Sequence, residues 1–558
     1  LTFDGEEAFA FPISYYDFFS KKKHWSDYQE KQILNRLSHL LSKQNSHKIV
    51  HNLVFEQEWS YAILNTKIEN LGDSLLQNYI LDNRERTHSL AFLVFAKYGV
   101  RWKNYPDNIM SNLTQLPIEE LLEYNGKDVI YEYMLYKDQE KELSKNKVLH
   151  DCYLEQIETA KSIAKIQFDG AFTNKDARIK LLSDFENKRK SVEKEILDLD
   201  CVKVFRSKFG KVPALKSNSK DIPKILFDIE NLDSFKKTKK GNYSVDKEVL
   251  KAYSEKGSIF CELLLNFREY AGNESKLLNA YTECVFPDGK YHTNFYFVTT
   301  GRLNSNSINL QNLDKRKHPE IRQLICASPG HVLLIYDYAQ LEFRVIAAVS
   351  GCEFFINAIK TGYDVHLEKA KEFWGEDIEE RYDEKKVKLM RYNAKNGFVF
   401  PAIYGSSPKA TAQRLGVSEE KAIQVHNKLW SDGPELKEWQ EEILEIYKKK
   451  RYVEISPGRR RYAPLTTNQI LNTPIQGSSA SIVCKAMNTL VKRGLHVVLN
   501  CHDELIVCVK EKEAKYVAEE MEQIMKTDYL KIMGNVPLEI EGSIGYDWFN
   551  AVPIKEIL

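Results

Sequence analysis

The chain has 558 residues, 43% hydrophobic content and a formal net charge of only +1, which fits a globular protein of about two to four domains and excludes a disordered or low-complexity chain. Its nine cysteines are scattered with no Cys-x-x-Cys pair, so a disulfide framework or structural zinc is not expected, and a reducing, cytoplasmic setting fits. No apolar run approaches the roughly 18 residues of a membrane span, no secretory signal is present, and the start at Leu1 rather than Met predicts a fragment of a longer polypeptide.

In chain order, residues 1 to about 148 mix short predicted strands, Ala8 to Ile13 and Lys48 to Asn52, with amphipathic helices. From about 149 to 290 the pattern is mainly helical. Its middle is basic, carrying Lys203, Arg206, Lys208, Lys211, Lys216 and Lys220, then Lys236 to Lys240; Ser217-Asn218-Ser219-Lys220 reads as a capped helix entry with phosphate donors. A third basic run spans Lys448 to Arg461, and acidic stretches at Glu376 to Glu384 and Glu435 to Glu445 offset all three. Basic clefts in a neutral chain are compatible with nucleic acid.

Two predicted strands end on carboxylates: Val332 to Tyr336 precedes Asp337, and His496 to Cys501 leads into His502 and Asp503. Two such carboxylates can share a pair of Mg²⁺ ions, the requirement of in-line nucleotidyl transfer. Between them, Arg391 to Gly405 reads as a helix with Arg391 and Lys395 on one face, cations suited to clamping a triphosphate. Taken singly, each residue has a plainer reading: Asp337 as a helix cap, His502 as a buried histidine, Tyr404 as core, Arg391 and Lys395 as a solvated face. Their order along the chain is what points to chemistry.

From about residue 30 to the C-terminus the chain resembles the family A DNA polymerases, the class of bacterial DNA polymerase I and many phage replicases. Asp337-Tyr338-Ala339-Gln340-Leu341-Glu342-Phe343-Arg344 resembles the first polymerase motif, with Ala339 in place of Ser; Arg391 to Gly405 resembles the second, and Cys501-His502-Asp503-Glu504 the third. Thr300-Gly301-Arg302-Leu303, Asn309-Leu310-Gln311-Asn312, Asp364-Val365-His366 and Asn472-Thr473-Pro474-Ile475-Gln476-Gly477 are supporting matches. The resemblance implies an α/β multidomain, right-hand polymerase with an antiparallel palm sheet and helical fingers and thumb. A truncated N-terminal ribonuclease H-like 3′-5′ exonuclease domain is implied beside it. The expected boundaries are 1–148 for the exonuclease-like domain, 149–290 thumb, 291–350 palm, 351–454 fingers and 455–558 the rest of the palm.

By resemblance, Asp337 and Asp503 bind two Mg²⁺ ions, with Mn²⁺ as a substitute, and the Tyr338 carbonyl is a further ligand. Arg391, Lys395 and His366 contact the triphosphate, Lys395 also protonating the pyrophosphate. Glu342 excludes a 2′-hydroxyl, while Phe400, Tyr404 and Gln340 line the nucleotide pocket. Arg302, Gln311, Asn312, Asn472, Gln476 and His502 contact primer-template, where minor-groove acceptors are alike for every correct pair. Glu504 supports the metal-binding residues from behind. The implied function is template-directed DNA synthesis from dNTPs by a monomer, with any helicase or processivity partner left open. The Phe-Pro version of the finger motif looks more phage-like than bacterial.

Two departures from the family pattern carry expectations. Phe400 and Tyr404 fall at i+9 and i+13 from Arg391, where the family has i+8 and i+12, an offset of about 100° on an ideal helix. A π-bulge or kink is therefore predicted between Gly397 and Pro401. In the exonuclease-like part, Glu56 stands where Asp is usual, Tyr124 and Asp128 keep the Tyr-x-x-x-Asp spacing, and Asp73 matches a family aspartate of less direct role. Asp4-Gly5-Glu6 has the spacing of the missing first motif but is expected to sit in a hairpin turn, so proofreading is expected to be weak or lost. The competing readings are a single-subunit RNA polymerase, which Glu342 disfavours, a non-catalytic primer-template scaffold, which the paired aspartates disfavour, and a chain acting mainly as a nuclease.

Overall fold

A computed structural model describes residues 1–13, 16–17, 22–84, 87–102, 117–217, 219–234, 236–238, 241–277, 281–313 and 315–557. Asn218 of the expected helix entry, and Lys239 and Lys240 of the second basic run, lie outside the described residues.

The N-terminal region holds a parallel pair, β1 (Lys48–Val50) and β2 (Leu71–Asp73), backed by a helix at Ile118–Leu143. The expected strand at Ala8 to Ile13 does not form. Phe9 exchanges backbone hydrogen bonds with Leu1 at 2.7 and 2.8 Å, and Asp4 caps the intervening turn by accepting the Glu6 N–H at 2.8 Å. Beyond it Pro12 has no N–H to donate, and Phe9, Phe11 and Ile13 remain exposed, with no sheet over them among the described residues.

The helix Lys147–Asp169 is shared by two cores. Leu149, Tyr153 and Ile157 belong to the N-terminal core, whereas Ile163 and Ile166 belong to the central one. The preceding helix ends at Leu143, and this one, beginning at Lys147, runs across the expected boundary near 148 and joins the two cores. Beyond it, Val202, Phe205, Ile222, Leu226, Leu250 and Leu264 form a separate helical core, carried away from the main body by the packed helices Lys175–Asp198 and Ile259–Ser275. Ser219 accepts the Asp221 N–H at 3.0 Å at the next helix entry.

The central sheet comprises β3 (His331–Tyr338), β4 (His496–Cys501), β5 (Glu504–Lys510), β6 (Ile540–Gly545) and β7 (Val552–Pro553), all antiparallel in the order β4-β5-β3-β6-β7. The apolar run Val332–Tyr336 is fully buried because this strand is central and covered on its faces. Gly542 lies opposite Tyr336, whose ring sits 2.5 Å from where a Cβ would be, so only glycine lets the two strands meet there. Among the described residues no helix is long and apolar enough to cross a membrane.

Candidate active site

β3 delivers Asp337 next to its C-terminal end, with Glu504 of β5 opposite it in register. The β4-β5 hairpin turns through His502 and Asp503, with His502 in the left-handed region at φ 58°. That turn carries Asp503 back over the end of β3. The Asp503 carbonyl accepts the Tyr338 N–H at 3.3 Å. Burial pushes the Asp503 carboxyl up to about 6; Arg302 opposes this, and Glu342 and Asp337 add repulsion.

Both aspartates line a cleft of about 1090 Å³, with Gln340, Glu342, Lys395, Phe400 and Tyr404 on its walls. Glu342 is fixed from two sides: the Arg302 guanidinium donates to one oxygen and the Tyr404 hydroxyl to the other at 3.3 Å. Phe400 and Tyr404 stack with centroids 6.1 Å apart. Burial, then Arg391, lowers the Lys395 ammonium below its usual range.

The finger helix is interrupted as its register requires. An α-helix at Glu384–Ala394 gives way to a π turn over Lys395–Val399 and resumes at Phe400–Ile403. The wide turn overlaps the expected window and begins two residues earlier, and the Phe400 N–H reaches back to the Lys395 carbonyl. Pro401 cannot donate to Gly397; the Arg414 guanidinium takes that carbonyl instead at 2.7 Å.

Other expected residues are placed differently. Arg391 is held by Asp364, Nε to Oδ2 at 2.6 Å. His366 is 1% exposed, packed between Phe343 and Phe400 with neither ring nitrogen hydrogen-bonded among the described residues, behind the cleft wall rather than on it. Gln311 corrects its expected role as a DNA contact: it is 3% exposed and its amide donates to the carbonyls of Leu303 at 3.3 Å and Asn500 at 3.0 Å. Asn312 and His502 are exposed, and Asn472 and Gln476 half-buried on the helix Thr467–Lys492.

Sequence reasoning missed three groups. Asn468 lines the cleft one turn before Asn472, a stripe readable from the i, i+4, i+8 spacing. Arg414 also lines it, signalled only by the carbonyl that Pro401 orphans. Lys315 places its Nζ 3.3 Å from Asp337 and 4.0 Å from Glu504, with no local signal at all. Glu504 itself is buried behind Asp337, accepting the Trp548 indole N–H at 2.7 Å with Arg322 at 3.7 Å.

The sequence pattern of DNA polymerase family A matches residues 180–550 of this chain. The chain belongs to DNA polymerase family A. A 3′-5′ exonuclease pattern matches residues 17–144 of this polymerase-family chain. It is 27% identical over 559 residues to DNA polymerase I of Chloroflexus aurantiacus, covering 94% of this chain and 57% of that one. It is 33% identical over 356 residues to the thermostable DNA polymerase I of Thermus aquaticus, covering 60% of this chain and 42% of that one. The chain thus spans about half the length of these curated relatives. The POL domain of Pol1 from M. smegmatis, solved in complex with DNA primer-template and dNTP, superposes with a TM-score of 0.75 at 25% identity, over 93% of this chain and 88% of that one.

In the exonuclease-like part of this family A chain, Asp73 is 1% exposed and fully used as a cap. Its carboxylate accepts the backbone N–H groups of Asn52, Leu53, Leu75 and Leu76 at 2.7–3.2 Å. Burial nevertheless pushes it up to about 6. Asp128 accepts the Trp102 indole N–H at 2.9 Å, Tyr124 is buried, and Glu56 is exposed.

Proposed function

We propose that the chain extends a primer 3′-hydroxyl on a DNA template with dNTPs, releasing pyrophosphate. The observation that carries this reading is the pair Asp337 and Asp503, on strand ends joined by a backbone hydrogen bond and sharing a cleft with Lys395. The donors fit two Mg²⁺ ions, with Mn²⁺ as a substitute: they are oxygens only, as hard cations prefer, and Asp503, raised by burial and then by repulsion from Glu342 and Asp337, is a carboxylate whose charge a bound cation would stabilise. Asp337, Asp503 and the Tyr338 carbonyl would hold these ions, which when bound activate the attacking hydroxyl and neutralise the triphosphate.

The protein's own groups complete the reading. Lys395, its ammonium made more acidic by burial, is suited to protonate the pyrophosphate. Arg391 exchanges Asp364 for phosphate oxygens, and His366 reaches the triphosphate only by turning out of its aromatic slot. Glu342, held by Arg302 and Tyr404, occupies the floor where a 2′-hydroxyl would sit, which favours deoxyribose and disfavours the RNA polymerase reading. Phe400 and Tyr404 cover the nascent pair, and Asn472, Gln476, Asn312 and His502 face primer-template.

The test is primer extension with Mg²⁺, comparing dNTPs with rNTPs. Extension with dNTPs alone, lost in Asp337→Ala, supports the proposal. Extension with rNTPs would move the answer to an RNA polymerase, and tight primer-template binding without extension to a scaffold.

The same proposal includes an impaired 3′-5′ exonuclease, supported by Asp4 serving a turn and Asp73 serving a cap. Timed digestion of a 5′-labelled single strand should be slow. Rapid shortening that Asp128→Ala abolishes would overturn it.

A further inference from the structure

Four residues, Val298 to Gly301, form the tight turn that presents Arg302. The turn closes on itself through Gly301 N–H to the Val298 carbonyl at 2.7 Å and Val298 N–H to the Arg302 carbonyl at 3.0 Å. Three further contacts come from outside it. The Tyr79 hydroxyl donates to the Val298 carbonyl, the Asn83 amide to the Thr299 carbonyl at 3.2 Å, and the Arg459 guanidinium to the Thr300 carbonyl. Gly301, at φ 85°, lies so close to Arg459 that a Cβ would sit 1.8 Å from a guanidinium nitrogen.

Tyr79 and Asn83 belong to the exonuclease-like region, and Asn83 is 1% exposed. Its other amide atom accepts the Tyr462 N–H at 3.3 Å, from the hairpin that carries Arg459. One buried asparagine therefore ties the turn to the hairpin that also grips it. Arg302 follows immediately and is the residue that pairs with Glu342.

We propose that Tyr79 and Asn83 are positioning residues through which the exonuclease-like region holds Arg302 on Glu342, so that this region tunes sugar selection without hydrolysing anything. The physical reason is that three successive carbonyls, each pinned by a separate donor, leave the turn little freedom. Losing one donor lets Arg302 relax, and the carboxylate it orients relaxes with it. This inference rests on the reading of Glu342 as the residue that excludes a 2′-hydroxyl.

The experiment measures kcat and KM for a dNTP and its matching rNTP on one primer-template, in the full chain. The variants are Tyr79→Phe, Asn83→Ala, Arg302→Ala, the Tyr79→Phe/Arg302→Ala double, and Glu342→Ala. Expected is a fall in dNTP preference of about tenfold for Tyr79→Phe, with no further fall when it is added to Arg302→Ala, as coupled residues require. Tyr79→Phe keeps the ring and its packing, so its melting midpoint serves to separate this effect from general loosening; Asn83→Ala should shift preference in the same direction. Unchanged preference in Tyr79→Phe and Asn83→Ala, with a clear fall in Glu342→Ala, overturns the inference and spares the sugar-gate reading. Unchanged preference in Glu342→Ala overturns that reading instead. The brace is then judged by the dNTP KM, where additive effects of Tyr79→Phe and Arg302→Ala overturn it.

Discussion

The Asp503 carbonyl accepts the Tyr338 N–H at 3.3 Å, so the hairpin that carries one carboxylate is latched to the strand that carries the other. The latch is made by backbone and survives substitution of either acidic side chain. Chemistry and architecture can therefore be separated at these positions.

Asp503→Asn should lose primer extension by on the order of 10³-fold or more, since several kcal/mol of metal-borne charge stabilisation goes with the carboxylate. Its melting midpoint should hold or rise, because a buried charge repelled by Glu342 and Asp337 has been removed. Single-turnover extension and thermal melting together check this; a lowered midpoint would mean the residue is structural.

Tyr404→Phe removes the hydroxyl that holds one oxygen of Glu342. Extension with dNTPs should persist, and ribonucleotide incorporation should rise by about fivefold, the equivalent of one hydrogen bond of about 1 kcal/mol. Glu342→Ala should exceed it. Competition assays with mixed nucleotides give the ratio directly.

Arg414→Met strips the donor from the Gly397 carbonyl, which Pro401 has already left without its helical partner. A buried acceptor left unsatisfied costs about 1–3 kcal/mol. Amide hydrogen exchange should accelerate across 395–404 while the central sheet is unaffected. Uniform acceleration would show that the turn is not a local unit.

Stability should fall on the acid side through two finger histidines. Burial lowers His366 to about 3 and His426 to about 4, from an ordinary 6.5. Each is neutral when folded and takes up a proton only on unfolding, so between pH 6.5 and about 4 the unfolded chain binds more protons and stability rises with pH. Each histidine contributes a loss of roughly 2 kcal/mol between pH 6.5 and 5. His426→Gln, which keeps a partner for the Thr411 hydroxyl at that site, should shrink the difference in melting midpoint between pH 7 and pH 5.

Asp73→Ala should destabilise the N-terminal region by about 2–3 kcal/mol, because the N–H groups of Asn52, Leu53, Leu75 and Leu76 lose their acceptor. Any residual nuclease rate at permissive temperature should not change. A selective loss of hydrolysis with an unchanged melt would instead give Asp73 a direct part in hydrolysis.

The sequence by itself determined the elements that carry the chemistry. The apolar runs ending on Asp337 and on the turn to Asp503 specify buried strands with polar tips. The one-residue offset between Lys395 and Phe400 specified a widened turn, because helical periodicity makes an insertion visible as a change of face. Such signals are local, written in spacing along a few neighbouring residues. Only the tertiary structure decided how Lys315, Arg302 and Gln311 are used. Lys315 meets Asp337 across a chain separation that no periodicity reports, Arg302 is spent on Glu342, and Gln311, polar and in a family motif, is buried to satisfy two backbone carbonyls. A side chain's hydrogen-bond capacity is known from its type. Which partner consumes it depends on which orphaned backbone group or charge the fold brings within reach, and that is settled by packing across the whole chain.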